Sequence, residues 1–122
     1  MTQIKSDQTG ADVAADLGYF TIPVADVKRG KAFYGAVFGW QFEAGESYAH
    51  VPNTTPPGGL HVDDSAHPKV WFRVPDIHVA VAKVRERGGE AAVPEASDSG
   101  LSADCRDDQG THFSLWQPAP GL

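Results

Sequence analysis

The chain has 122 residues, of which 41% are hydrophobic and 21% charged, and its formal net charge is −6. A chain of this length accommodates one domain and can bury a workable core without disulfides or a structural metal. The acidic balance, with no basic run longer than Lys28-Arg29, excludes nucleic acid or an anionic membrane as the main partner, because both require a basic surface.

The first 16 residues are polar and mildly acidic and contain no apolar stretch of the signal-peptide type. They predict a flexible tail, with residues 11–17 partly helical, followed by a single domain over residues 17–122. No window approaches the roughly 18 consecutive apolar residues of a membrane span. The single Cys105 has no cysteine to pair with and is typical of a reduced thiol. We therefore predict a cytoplasmic protein with no membrane partner.

An internal repeat with an offset of 50 residues organises the rest of the chain. Residues 19–27 (YFTIPVADV) and 69–77 (KVWFRVPDI) both alternate apolar and other residues and then reach an aspartate. Alternation with a period of two predicts a half-buried strand in each copy. The side chains expected to pack under a helix are Phe20, Ile22 and Val24 in the first copy and Val70, Phe72 and Val74 in the second.

Each predicted strand is followed by a predicted helix, over residues 27–38 and 77–87, with apolar residues spaced three and four apart. Asp26 and Asp76 stand at the N-cap positions, where a carboxylate accepts hydrogen bonds from free N–H groups of the first turn. Gly39 ends the first helix and Gly88 the second, since glycine readily adopts the left-handed C-cap conformation. We interpret both aspartates as structural residues.

Short strand-like runs broken by turn residues follow each helix. They predict the order β-α-β-β-β twice, in modules over residues 17–62 and 68–118. The fold class is therefore α+β, with two βαβββ modules in tandem that form a curved mixed sheet around a cavity and carry their helices on the outer face. The predicted later strands span 40–44, 47–51 and 59–62 in module one, and 90–93, 102–106 and 111–117 in module two.

Three patches of the sequence resemble the vicinal oxygen chelate superfamily, which contains glyoxalase I, bleomycin-resistance proteins and extradiol dioxygenases. They are residues 22–40, with the run KAFYGAVFGW at 31–40, residues 74–89, and the closing run DDQGTHFSLWQ at 107–117. The match spans residues 18–118 and is closest to stand-alone bacterial glyoxalase-like proteins. Because this fold hosts lyases, isomerases, dioxygenases and metal-free binding proteins, the function must be argued from the site.

In catalytic members the resemblance implies a divalent metal held by His, Gln or Glu side chains from the first and last strands of each module. Tyrosine and serine hydroxyls are poor ligands for such a cation, and a protonated lysine repels it. We therefore expect no metal site and no cofactor. The alternative is an unconventional metal site in which His61 and His112 supply half of the ligands. The corresponding positions in this chain are Tyr19, Lys69 and Ser114, with Gly59 or His61 as the fourth.

Strand alternation also assigns the side chains that face the cavity. Aromatic walls with a few polar groups are typical of a small-molecule site. An inward Arg73 requires an anion, because an unpaired buried guanidinium is costly, and either an internal carboxylate (Asp104 or Glu43) or an anionic ligand meets that need. The predicted ligand-binding residues are Tyr19, Thr21, Trp71, Arg73, His112, Ser114 and Trp116. The polar segments 52–59 and 94–101 are predicted to form loops at the rim.

The sequence thus favours a protein that binds a small aromatic or anionic molecule in a metal-free cavity. The alternative is an enzyme, either with an unusual metal site or with His112 and Tyr19 as a metal-free proton-transfer pair. A homodimer that associates through sheet edges or helices is predicted as well, because the exposed first-strand edge of a two-module sheet needs covering.

Overall fold

The computed structural model describes residues 14–63 and 67–122. These residues form an α+β fold with two helices, α1 (Val27–Phe38) and α2 (Ile77–Glu86), and eight strands. The strands are β1 (Asp16–Val24), β2 (Tyr48–Val51), β3 (Gly58–Val62), β4 (Lys69–Arg73), β5 (Glu90–Ala91), β6 (Glu95–Ser97), β7 (Gly100–Arg106) and β8 (His112–Pro118).

The eight strands share one mixed sheet in the order β2-β3-β1-β4-β8-β7-β5, with β6 paired to β7. Module one supplies β1 to β3 and module two supplies β4 to β8. The two modules meet at the antiparallel pair β1–β4, in which Tyr19 lies opposite Trp71 and Thr21 opposite Lys69. β8 runs parallel to β4 and places Ser114 beside Trp71. The predicted architecture of two tandem modules is confirmed, and the first strands of both modules lie at the centre.

Both helices begin where the sequence predicts; α1 also ends as predicted, whereas α2 ends at Glu86, one residue early, with Arg87 as its C-cap. Asp26 caps α1 by accepting a hydrogen bond from the Arg29 N–H at 3.0 Å, and Asp76 caps α2 by accepting from the N–H groups of His78 and Val79. α1 ends at Gly39, whose φ of 71° is left-handed. The structural role assigned to the two aspartates is confirmed, because each carboxylate satisfies free donors of a first helical turn.

The core lies between the helices and the outer face of the sheet. Under α2, Ile77 and Val81 pack with Val74, Cys105 and Leu115, all of them buried. Phe72 and Phe113 pack against the same cluster. This confirms the predicted outward face of β4 and β8, and strand alternation therefore turns the intervening side chains to the inner face.

The predicted strand at residues 40–44 is wrong. Its backbone is held by a side chain instead of a strand ladder, since the Gln41 N–H donates to Asn53 Oδ1 at 3.0 Å. One bond of ladder type remains, from the Glu43 N–H to the His50 carbonyl. The Trp40 ring lies against an aromatic cluster, which fixes the segment over the outer face; its ring neighbours are Phe20, Tyr34, Phe38 and Phe42.

The predicted loop at residues 94–101 is also wrong in part, because it contains β6. That strand forms a hairpin with β7, with Glu95 opposite Ser102 and Ser97 opposite Gly100. Gly100 has a φ of 131°, and a Cβ there would lie 2.1 Å from the Gln117 carbonyl oxygen, so glycine is required at this tight approach. β5 is shorter than predicted and ends at Ala91.

The predicted tail over residues 1–16 falls largely outside the described residues, and β1 already begins at Asp16. The expected helical character at residues 11–17 therefore does not extend to Asp16 and Leu17, which are extended, while residues 11–13 lie outside the described part of the chain. Among the described residues, neither helix has the length and apolar character needed to cross a bilayer.

Candidate functional site

The inner face of the sheet contains a cavity of about 820 Å³, which we call the first cavity. Five of the seven predicted ligand-binding residues line it: Tyr19, Thr21, Trp71, Arg73 and Trp116. The other two, His112 and Ser114, line a neighbouring second cavity of about 690 Å³. His61 and Lys69 line both cavities. The two cavities are thus adjacent parts of one inner surface.

The Trp116 indole forms one end of the first cavity in a fixed orientation. Its Nε1–H donates a hydrogen bond to the Ser99 carbonyl at 3.0 Å, in the turn between β6 and β7. Gly18 on β1 lies directly under the ring, since a Cβ there would be 3.0 Å from an indole carbon. Gly18 therefore permits the close approach of the indole, and Ser99 holds it in place.

Arg73 lies beside this indole, with its guanidinium carbon 5.8 Å from the Trp116 ring centroid, within cation–π range. Among the described residues no carboxylate forms an ion pair with Arg73, and Asp104 is paired with Lys69 instead. No Asp or Glu side chain lines the first cavity. Arg73 is exposed, so the expected burial of its guanidinium is wrong and an anion is not required for stability. Its donors are available to an anion that enters the cavity.

Three polar aromatic side chains meet in the middle of the first cavity. The Tyr19 hydroxyl contacts the Tyr48 hydroxyl, lies 2.9 Å from His50 Nδ1 and donates to the Gly58 carbonyl at 3.2 Å. The His50 ring stacks on Tyr19 with a centroid distance of 5.8 Å, and the Trp71 ring meets Tyr19 edge-on at 5.9 Å. Tyr48 and His50, which were not among the predicted ligand-binding residues, both come from β2 and share one face of that strand.

The proton arrangement in this cluster follows from the number of hydrogens. Tyr19 has one hydroxyl proton; when it donates to the Gly58 carbonyl, His50 must donate from Nδ1 and its Nε2 is an acceptor. When Tyr19 donates to Nδ1, His50 Nε2 carries the proton instead. Burial raises the pKa of Tyr48, so this phenol remains protonated near neutral pH. The cluster can therefore present either a donor or an acceptor at His50 Nε2.

Lys69 stands between the two cavities, bound to a carboxylate. Its Nζ lies 2.9 Å from Asp104 Oδ1, which also accepts a hydrogen bond from Ser114 Oγ at 2.9 Å. Hydrogen bonding from Lys69, with a further contribution from Ser114, lowers the pKa of Asp104 and keeps it ionised at neutral pH. The ammonium also lies 5.0 Å from the Trp71 ring centroid. The positive charge at this end is thus already neutralised.

The Thr21 hydroxyl is a buried polar group without a partner. Thr21 is 4% exposed, and its Oγ1 has no hydrogen-bond partner among the described residues. The β1–β4 register places Thr21 directly opposite Lys69. Since leaving a buried hydroxyl unpaired is unfavourable, a bound molecule or a water that reaches this oxygen is stabilised by the new hydrogen bond.

The residues present do not fit the divalent cation that the resemblance implies. Tyr19 is engaged with Tyr48 and His50, and Lys69 places an ammonium group at the second ligand position. Gly59 offers no side chain, and the space that its Cβ would fill is taken by the Tyr48 phenol, with the hydroxyl oxygen at 2.5 Å. Within residues 14–63 and 67–122, no group of three or more His, Cys, Asp or Glu is placed to hold a metal ion.

His61 and His112, the alternative pair, both line the second cavity. His61 lies 3.7 Å from Asp63, and His112 is exposed at the start of β8. His112 does not line the cavity that contains Tyr19. The structure therefore assembles a pair between Tyr19 and His50, and not the predicted pair between Tyr19 and His112.

Sequence reasoning did not include Tyr48, His50, Lys69 or Asp104 among the ligand-binding residues, and it considered Asp104 only as a partner for Arg73. The alternation of Tyr48 and His50 was visible, but the face they occupy depends on the pairing of β2 with β3. For Lys69 the signal was available, because it lies two residues before Trp71 on the same strand. Its partner Asp104 comes from β7, and a pairing over that sequence separation leaves no local trace.

Comparison with known proteins supports the predicted superfamily. A family model described as bleomycin resistance protein-like N-terminal matches residues 17–51. No curated protein sequence matches the chain significantly. Among solved structures, a hypothetical protein from Bacillus halodurans C-125 is similar with a TM-score of 0.73 and 14% identity, over 90% of this chain and 99% of that one.

Two further solved structures carry functional names. Methylmalonyl-CoA epimerase from Mycobacterium tuberculosis matches with a TM-score of 0.65 and 17% identity, over 94% of this chain and 96% of its own. A glyoxalase/bleomycin resistance protein/dioxygenase superfamily member from Vibrio splendidus 12B01 matches with a TM-score of 0.63 and 12% identity, over 87% of this chain and 100% of its own. The chain thus has the fold of the vicinal oxygen chelate superfamily, as its sequence predicts.

Proposed function

We propose that this protein is a cytoplasmic, metal-independent binding protein for a small, flat, anionic molecule held in the first cavity. The observation that carries the proposal is the Arg73 guanidinium, which stands beside Trp116 in a cavity lined by no Asp or Glu side chain. An arginine in this setting binds carboxylate or phosphate groups through charge-assisted hydrogen bonds. The rings of Trp71, Trp116 and Tyr19 supply apolar surface for a planar ligand body.

Calorimetric titration with biphenyl-4-carboxylate tests this proposal. We expect Arg73→Met to weaken binding about 10- to 100-fold, since a hydrogen bond to a charged group contributes roughly 1.5–3 kcal/mol. The neutral analogue biphenyl-4-methanol should bind the native protein and Arg73→Met alike. Arg29→Met is the matched control, because it removes the same charge from α1 on the outer face. Equal binding of the acid by the native protein and Arg73→Met would overturn the proposal.

Metal independence is tested separately by thermal unfolding. A metal that binds only the native state at a thousandfold excess over its Kd stabilises it by about 4 kcal/mol. For a domain of this size that corresponds to a shift in Tm on the order of 15 °C. We expect chelators to leave Tm unchanged and added zinc, nickel, iron or manganese to produce no shift of this size. A reproducible shift with one ion, abolished by His61→Ala or His112→Ala, would indicate a rearranged metal site.

A second candidate function is metal-free acid–base catalysis by Tyr19 and His50. It is favoured by the 2.9 Å contact between Tyr19 Oη and His50 Nδ1, which leaves Nε2 to take a proton from a carbon acid and return it. The probe is 3-benzoylpropionate in deuterium oxide, with exchange of the protons beside its ketone followed by NMR. Exchange that the native protein and Arg29→Met accelerate equally, and that His50→Gln abolishes, would establish catalysis; exchange at the buffer rate would exclude it for this substrate.

A further inference from the structure

We propose that the first cavity selects elongated ligands with one acidic group at the Arg73 end and an uncharged hydrogen-bonding group at the Lys69 end, and that Asp104 sets this preference. The inference rests on the proposed binding function and adds to it the chemical class and the orientation of the ligand. The observation behind the inference is that Lys69 and Arg73, two cations on β4, have different charged neighbours.

The two cations stand at opposite ends of β4 on the same face. Residues 69, 71 and 73 alternate to the inner surface, and all three line the first cavity. Lys69 and Arg73 are four residue steps apart along the extended strand, or roughly 13 Å. Trp71 lies between them, so that β4 presents to the cavity an ammonium group, an indole ring and a guanidinium group in that order. A flat molecule that lies over Trp71 has one end near each cation.

The two ends differ in their charge. Among the described residues Arg73 has no carboxylate partner, whereas Lys69 is bound to Asp104 at 2.9 Å. Ser114, only 1% exposed, donates to the same carboxylate oxygen and holds Asp104 in this position. The lowered pKa of Asp104 agrees with a persistent ion pair. The Arg73 end is therefore cationic, and the Lys69 end is close to neutral.

This asymmetry determines which ligand ends fit. A second acidic group near Lys69 would meet the Asp104 carboxylate, and juxtaposed like charges disfavour binding. An uncharged hydroxyl or carbonyl avoids that repulsion. It also comes near Thr21, which lies opposite Lys69 and whose buried hydroxyl finds no partner in the part of the chain that the structure describes. A hydroxylated aromatic monoacid satisfies both ends, and an aromatic diacid satisfies only one.

The test compares two rod-shaped probes by calorimetric titration, 4′-hydroxybiphenyl-4-carboxylate and biphenyl-4,4′-dicarboxylate. We expect the native protein to bind the hydroxy acid at least tenfold more tightly than the diacid. Asp104→Asn removes the competing carboxylate, so the affinity ratio should move toward the diacid by about tenfold or more. The double variant Lys69→Met/Asp104→Asn should lose that gain, because no cation remains at this end. Asp104 lines the second cavity beside Lys69, whereas Asp108 is exposed and lines neither the first nor the second cavity. Asp108→Asn, with the same charge change, is therefore the matched control and should leave the ratio unchanged.

The outcomes separate this inference from the proposed function. If Asp104→Asn leaves the ratio unchanged while Arg73→Met still weakens the hydroxy acid, binding stands and the role of Asp104 is refuted. If the native protein prefers the diacid, the assigned orientation is refuted. If the native protein binds neither probe, the proposed function and the inference both fail.

Discussion

Two buried hydroxyl groups on the inner surface differ in what they contact. Ser114 Oγ donates to Asp104, whereas Thr21 Oγ1 has no partner among the described residues. Both residues are almost fully buried, at 1% and 4% exposure. Loss of a satisfied hydroxyl is destabilising, but loss of an unsatisfied one removes an unfavourable desolvation. The two hydroxyls should therefore affect the free energy of unfolding in opposite directions when they are removed.

The first prediction is that Thr21→Val raises the free energy of unfolding by about 1 kcal/mol, because valine preserves the shape and removes the unpaired oxygen. Ser114→Ala should lower it by about 1 kcal/mol, since Asp104 then loses a donor. Urea denaturation followed by far-ultraviolet circular dichroism measures both. Thr21→Val should also weaken the hydroxylated probe more than the unsubstituted acid. A loss of stability in Thr21→Val would mean that the hydroxyl is satisfied in solution.

The second prediction concerns Asp104 and pH. Lys69→Met should raise the pKa of Asp104 toward its ordinary value, because the principal cause of its lowering is the hydrogen bond from Lys69. A carboxyl whose pKa is lower in the folded state stabilises the protein above its unfolded pKa of about 4, and this contribution is lost as the pH falls below that value. The effect on stability is small, since the Asp104 side chain is 69% exposed.

Carbon-detected NMR titration of the Asp104 carboxyl checks this prediction directly. Lys83→Met on α2 is the control for loss of a lysine, and should leave the titration curve unchanged. A curve for Asp104 that is identical in the native protein and in Lys69→Met would show that the ion pair does not persist in solution.

Site residues were predictable where one strand alone decides the outcome. Tyr19, Thr21, Trp71, Arg73 and Trp116 follow from the alternation of their own strands, and the structure brings all five to one cavity. Local sequence carries no information on which strands pair, so it could not show that Asp104 binds Lys69. It also could not show that His112 and Tyr19 line different cavities, because this depends on how far each cavity extends along β8.

At the scale of elements, the helices are the most predictable parts of the chain, since their caps are local. Asp26 lies three residues from the N–H group that it binds, Asp76 lies two and three residues from its two, and Gly39 follows its helix directly. The segment at 40–44 was not predictable, because its conformation depends on the Asn53 side chain twelve residues away from Gln41. The composition of this segment favours a strand, but the hydrogen bond to Asn53 and the packing of Trp40 hold it in a non-strand conformation.

The third prediction is that Asp76→Ala destabilises the protein more than Asp26→Ala. Asp76 accepts from two backbone N–H groups and Asp26 from one. Removal of an N-cap typically costs about 1 kcal/mol, and a cap with two bonds should lie in the upper part of the range, near 2 kcal/mol. Guanidinium denaturation of both variants measures the difference. The serine variants are controls that should recover most of the loss, since serine also caps helices; the opposite order would contradict the assigned bonds.

At the scale of the whole molecule, we propose that the protein forms a homodimer through the outer face of α1. Phe33, Val37 and Phe38 are each more than half exposed on this helix. An apolar patch of this kind on a folded protein is typical of an interaction surface. The expected first-strand edge is not exposed, because β1 lies between β3 and β4 in the sheet. The proposal therefore keeps the helix, and not the edge of the first strand, as the contact.

The fourth prediction is therefore a dimer in sedimentation velocity at micromolar concentration. Phe33→Ser should shift the equilibrium toward monomer, while Val93→Ser, at an apolar position outside α1 that is more exposed than Phe33, should leave the sedimenting mass unchanged. A native protein that sediments only as a monomer would contradict the prediction.

The placement of the three tryptophans gives the molecule a built-in optical reporter. Trp71 and Trp116 line the first cavity, whereas Trp40 lies in the aromatic cluster beside Phe20 and Tyr34. An aromatic guest should quench the fluorescence of the two cavity indoles and leave the emission of Trp40 as an internal reference. Because Trp116 is pinned by Ser99, its emission reports the environment of a rigid fluorophore. Occupancy of the cavity is thus readable from the unlabelled protein.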